Sequence, residues 1–208
     1  MIKAVIFDID GVLIDSFEAN FKFYQDLISK ADHKPPTREK FTSVHHLSMM
    51  DLIKIFTKNL PDEEIKQIWK MGQTGKVKYP HELLILPEDL EKTIKTLDKK
   101  YLLGIVTNRI EESAGKILKI INLKKYFKAI TGYQDTVNHK PHPEPLLLTA
   151  KLLGTKPQKC AYIGDVENDV KAGKAAGMKT IIYSKKQFND ADAYTTSFNE
   201  LPKIIESL

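Results

Sequence analysis

Lys3-Ala4-Val5-Ile6-Phe7-Asp8-Ile9-Asp10-Gly11 is the stretch that decides the fold. An apolar run this short, stopped abruptly by a carboxylate, has the pattern of a strand buried on both faces. Equivalent runs recur at 102–106, 129–131, 160–163 and 180–183, giving five predicted strands. The segments between the later strands carry helical spacing: Leu90, Ile94 and Leu97; Ala114, Ile117, Leu118 and Ile121; Leu146, Leu147, Ala150 and Leu153. Parallel neighbours need crossover connections, so the alternation predicts an α/β, doubly wound parallel sheet covered on both faces.

One stretch breaks the alternation. From Ser16 to about Tyr79 no strand pattern occurs, whereas Phe17, Phe21, Tyr24 and Ile28 form an amphipathic stripe and Asp15 and Glu18 are spaced as a capping box at its start. Further helices are predicted at 49–58 and 62–71, separated by Asn59-Leu60-Pro61. The expected organisation is a core of residues 1–15 and 84–208, interrupted by an all-helical cap at 16–83 that acts as a lid, with Pro80 and Pro87 punctuating the return.

The composition bounds the function. The chain has 208 residues, 32 Lys+Arg and 27 Asp+Glu, for a formal net charge of +5. Its lysines are scattered at helix-surface spacing, as in Lys92, Lys95, Lys99 and Lys100, which favours solvated helix faces over a nucleic-acid groove. A single cysteine, Cys160, excludes an internal disulfide and a Cys-based zinc site. Met1-Ile2-Lys3 runs straight into a strand pattern without a signal-peptide plan, and no run reaches the roughly 18 apolar residues of a membrane span. A cytoplasmic protein, free of membrane and nucleic-acid partners and acting as a monomer or homodimer, is expected.

In a doubly wound sheet ligands bind at the carboxyl ends of the strands. Asp8 and Asp10, one residue apart on a nearly extended backbone, point the same way there and repel unless a cation or proton intervenes. Asp and Gly are also ordinary turn residues, and the strand-end position is what favours a site. Gly164-Asp165-Val166-Glu167-Asn168-Asp169 follows the strand at 160–163, with Asp165 and Asp169 four apart at a predicted helix start. Helix N-terminal charge is the plainer explanation of that pair alone. Taken with Asp8 and Asp10, four carboxylates without His or Cys suit a hard cation, and Mg²⁺ bridging to a substrate phosphate is predicted. Calcium in an EF-hand is excluded by spacing, and no P-loop or dinucleotide fingerprint occurs.

Thr107 and Asn108 bring a hydroxyl and an amide to the same rim. Lys140, held between Asn138-His139 and Pro141-His142-Pro143, can neutralise a phosphate and the carboxylates beside it.

With Phe7 to Ser16, Val106-Thr107-Asn108, Lys140 to Pro145 and Ile163 to Asp169 in this order, the chain resembles the haloacid dehalogenase superfamily, in its helical-cap phosphatase branch, with phosphoglycolate phosphatases, pyrophosphatases and β-phosphoglucomutases among its relatives. The resemblance covers nearly the whole chain and implies a Rossmann-like core. It implies a Mg²⁺-dependent phosphatase of small phosphorylated metabolites, with a sugar phosphomutase or a non-enzymatic binding protein as alternatives. By the resemblance Asp8 would be the nucleophile that becomes an aspartyl-phosphate and Asp10 the acid and base. Asp8, the carbonyl of Asp10 and Asp165 would hold Mg²⁺ with Asp169 in support. Thr107, Asn108 and Lys140 would bind the phosphate. Val12 departs from the Thr of many family phosphatases and bears on the substrate. His45, His46, Met49, Met50 and Trp69 are expected to serve packing or surface roles, and Arg38 or Lys54 to be the insert's candidates for reading a substrate carboxylate.

Overall fold

The computed structural model describes residues 1–58 and 60–208, so Asn59 of the predicted helix break lies outside the described residues. Its contacts divide the chain into two compact units, Met1–Asp15 with Leu86–Leu208, and Ser16–Ile85.

The first unit is built on strands β1 (Ala4–Phe7), β2 (Leu102–Val106), β3 (Phe127–Thr131), β4 (Cys160–Gly164), β5 (Lys179–Tyr183) and β6 (Ala193–Thr195). They form one parallel sheet in the order β3-β2-β1-β4-β5-β6. Every residue of β1 and of β4 is buried, as strands with both faces covered require. The covering helices are α5 (Leu90–Asp98), α6 (Glu111–Ile120), α7 (Glu144–Leu152), α8 (Glu167–Ala175) and α9 (Leu201–Ser207). Leu90, Ile94 and Leu97 of α5, and Ala114, Ile117 and Leu118 of α6, are buried, so the apolar spacing in the sequence marks the inward faces. The outward faces carry the scattered lysines, several beside a carboxylate one turn back: Lys95 to Glu91 and Lys116 to Glu112, both at 2.7 Å. The sixth strand was not among the five predicted. It has three residues at the sheet edge, too few for alternation to register.

The second unit is helical: α1 (Phe17–Lys30), α2 (Arg38–Val44), α3 (Met49–Phe56) and α4 (Asp62–Gln73). Its core gathers Phe23, Tyr24, Leu27, Ile28, Phe41, Leu52, Ile53, Ile65 and Ile68, with Met49, Met50 and Trp69 packed partly buried against it. Phe41 is fully buried and meets the rings of Phe17, Phe21, Tyr24 and Phe56. His45 packs on Phe17 and Phe41. The predicted capping box does not form. Helix α1 opens after Ser16 without a side-chain cap, and Glu18 accepts two bonds from Arg38 instead, at 2.6 and 2.8 Å. A forked ion pair with a guanidinium outcompetes a single bond to a backbone amide. Among the described residues no helix is long and apolar enough to cross a membrane.

Candidate active site

The strand order reverses between β1 and β4, and the crevice outside the carboxyl ends of such a pair is where an open α/β sheet admits a ligand. The register sets Phe7 beside Ile105 on one side and Ile163 on the other, so Asp8, Thr107 and Asp165 emerge from adjacent strands. The Asp8 amide continues the ladder by donating to the Ile163 carbonyl at 2.9 Å. Beyond Asp8 the chain turns sharply. Leu13 donates to the Ile9 carbonyl and Gly11 to that of Ile14, while Ile9, Val12, Leu13 and Ile14 are fully buried beneath the turn. Gly11 has φ +76°, and a Cβ there would lie 2.1 Å from Asp165 Oδ2. Asp-x-Asp-Gly is thus both a turn and a close approach to the second acidic segment.

That approach gathers carboxylates far apart in sequence. Ligand oxygens of Asp8, Asp165 and Asp169 lie within 4.8 Å of one another. Lys140 enters the cluster from the loop between β3 and α7, its side chain only 4% exposed, and donates to Asp8 Oδ2 at 2.5 Å and Asp169 Oδ1 at 2.8 Å. Its loop is held at both ends. Tyr133 stacks on His139 with ring centroids 3.9 Å apart, and Glu144, at the start of α7, accepts from the amides of Val137 and Asn138 at 3.1 Å.

Asp169 is fully buried, and both its oxygens are engaged. Oδ1 accepts from Lys140 and from the Tyr162 hydroxyl, and Oδ2 from the amides of Asp165 and Val166 at 3.0 and 3.2 Å. Gly164 makes this possible, since a Cβ there would fall 2.3 Å from Asp169 Cβ.

The electrostatics follow from three carboxylates sharing one ammonium. Burial raises the Asp8 carboxyl, Lys140 opposes and Asp169 and Asp10 add to the rise, leaving it at about 7. Burial, then the charges of Asp169 and Asp8, push Asp165 up to about 8. Burial would raise Asp169 too, but Lys140, Tyr162 and the Val166 amide outweigh it and hold that carboxyl low. Burial disfavours charge on Lys140, and Asp169 and Asp8 overcome it, holding the ammonium protonated well beyond its ordinary range. The cluster thus has more negative charge than its own cation balances. With oxygen donors alone, it fits a hard divalent ion.

Thr107 is buried at the end of β2, its amide donating to the Thr131 carbonyl, and Asn108 follows half-buried. Sequence reasoning passed over the next residue. Arg109 forks onto Asp10, Nε to Oδ2 and Nη2 to Oδ1, both at 2.7 Å. The available signal was position alone: Arg109 shares the strand-end turn of Thr107, whose Oγ1 accepts its amide at 3.2 Å. Arg38 and Lys54 belong to the helical unit, where Arg38 is engaged by Glu18 and Lys54 lies 3.7 Å from Asp62.

The chain is similar to known proteins. A pyrophosphatase of Bacillus pumilus is 32% identical over 184 residues, spanning 86% of this chain and 82% of its own length. A phosphoglycolate phosphatase of Aquifex aeolicus is likewise 32% identical over 184 residues, spanning 86% and 84%. A solved hydrolase of haloacid dehalogenase subfamily IA from Geobacter sulfurreducens superposes with a TM-score of 0.75 at 28% identity, covering 98% of this chain and 96% of that one. The family profile described as haloacid dehalogenase-like hydrolase matches residues 5–183, which take in the Asp8 turn, Thr107, Lys140 and the Asp165–Asp169 segment together, and the chain belongs to that family.

Proposed function

We propose that the protein is a Mg²⁺-dependent phosphomonoester hydrolase acting on a small phosphorylated metabolite. The observation that carries this reading is Lys140, whose ammonium joins Asp8 to Asp169 at the sheet's switch point, where ligand oxygens of Asp8, Asp165 and Asp169 lie within 4.8 Å of one another. The activities for which the two 32% identical relatives are named, pyrophosphatase and phosphoglycolate phosphatase, support it.

In this reading Asp8 is the nucleophile. One of its oxygens attacks the phosphorus, the bond to the leaving oxygen breaks, and an aspartyl-phosphate results. Lys140 keeps the carboxylate oriented and offsets repulsion between it and the incoming anion. Asp10 gives a proton to the leaving oxygen and takes one from the water that later hydrolyses the acyl phosphate. Thr107, with Asn108, donates to the transferring phosphate. Asp8, Asp165 and the carbonyl of Asp10 are the residues that would hold Mg²⁺. Asp169, whose oxygens are already engaged, supports them by fixing Lys140 and the Asp165 amide. When bound, the ion supplies positive charge that neutralises the phosphate and the acidic cluster.

The test is phosphate release from an aryl phosphate with and without Mg²⁺. Release that depends on the ion and vanishes in Asp8→Asn is expected. Full activity in that variant rejects the nucleophile assignment. Conversion of a sugar phosphate to its isomer without net phosphate release would favour the phosphomutase alternative.

A further inference from the structure

We propose that Arg109 selects substrates whose leaving group carries a second anionic group. The inference deepens the reading of Asp10 as the acid and rests on it. Arg109 is nearly buried, 13% exposed at its side chain, and its fork meets both oxygens of Asp10. A guanidinium within hydrogen-bond distance of that carboxylate stands on the side where the leaving oxygen must come. Phosphoryl transfer itself gives it no task, because Lys140, from the loop after β3, serves the phosphate side and contacts Asp8.

A carboxylate or phosphate on the leaving group presents the planar acceptor geometry that a guanidinium grips in two parallel bonds. It therefore competes with Asp10 for Arg109; the exchange binds the substrate and frees the Asp10 carboxylate, which takes up a solvent proton and then serves as the acid. A neutral alcohol offers no such partner and leaves the Arg109–Asp10 pair closed. Glycolate and phosphate, the leaving groups of phosphoglycolate and pyrophosphate, both bear this charge.

Matched esters separate selection from mere positioning. Phosphoglycolate and 2-hydroxyethyl phosphate differ in carrying a carboxylate or a neutral hydroxyl at the same distance. With Mg²⁺, the wild type is expected to favour phosphoglycolate in kcat/KM, and Arg109→Gln to reduce that preference about tenfold or more, chiefly through KM, with Arg109→Lys in between. Parallel loss on both esters, with the ratio kept, would mean that Arg109 only positions Asp10 and would overturn the proposal. Calorimetric binding of the two esters to Asp8→Asn, and to Asp8→Asn with Arg109→Gln, supplies a readout without turnover. The expected result is tighter binding of phosphoglycolate that disappears in the double variant. Equal affinities in Asp8→Asn, binding of neither ester, or a difference surviving in the double variant would overturn it. If the wild type hydrolyses neither ester while the binding difference appears and then vanishes as described, the hydrolase reading fails and the assignment of Arg109 stands.

Discussion

The Tyr162 hydroxyl, in the middle of the buried strand β4, donates to Asp169 Oδ1 at 2.8 Å and lies 3.0 Å from the Lys140 ammonium. A polar atom sunk this deep must find partners, and here it finds the two groups that organise Asp8 and Asp165. Tyr162→Phe keeps the ring and removes the hydroxyl. It is expected to cost about 1–2 kcal/mol in urea unfolding, and to lower kcat without abolishing turnover, because Lys140 and Asp169 still hold each other.

Removing the ammonium is more severe. Lys140→Met leaves Asp8 and Asp169 facing one another, buried and without their shared counter-charge. A loss of about 3–5 kcal/mol is expected, together with loss of phosphate release. Unfolding midpoints in denaturant check the first outcome and an aryl phosphate assay the second. A variant as stable as the wild type would show that the cluster does not depend on this lysine.

The sign of the pH dependence is fixed by Asp8 and Asp165. Their carboxyls titrate at about 7 and about 8 when folded, against an ordinary value of 3.8. The folded chain therefore binds extra protons between those limits, a contribution that is complete below about pH 4 and lost as the pH rises through about 7 to 8. Asp169, held low, contributes in the opposite direction and is lost only in acid. Metal-free protein should melt at falling temperatures between about pH 5 and about pH 9, and saturating Mg²⁺ should raise the melting temperature most at the alkaline end. A flat profile in chelator would refute the charge imbalance.

Gly11→Ala tests the turn. It forces a side chain into φ +76° and onto the Asp165 carboxylate, which must swing away from its place beside Asp8. Greatly weakened Mg²⁺ binding by calorimetry is expected, with the far-ultraviolet circular dichroism of the sheet retained.

The parts of this architecture that were legible in the sequence are those with local signatures. Buried strands read as apolar runs ending in carboxylates, and α5 and α6 as helical stripes. What escaped was either short or distant. Strand β6 has three residues, and α2 buries only Phe41, so neither has a period to detect. Glu18 turned from its predicted cap because Arg38, on another helix, offered a stronger partner. Arg109 meets Asp10 across 99 positions of sequence, and Lys140 meets Asp8 across 132, yet only the lysine carries a local signal, the prolines Pro141 and Pro143 of its loop. Spacing along a chain reports on faces of single elements; it is blind to which loops a parallel sheet brings to one rim.

Phe7 lies beside Ile105 in the sheet although all of Ser16–Ile85 separates them in the chain. The entropy of closing so long an excursion grows only with the logarithm of its length, by about 0.6 kcal/mol for each doubling. Halving or doubling the helical unit would thus perturb the pairing of β1 with β2 by less than removing a single buried methylene, roughly 0.8 kcal/mol. The sheet is nearly indifferent to how much polypeptide departs from it after Asp15, so the chemistry anchored at its rim and the helices spliced into it can diversify on independent schedules.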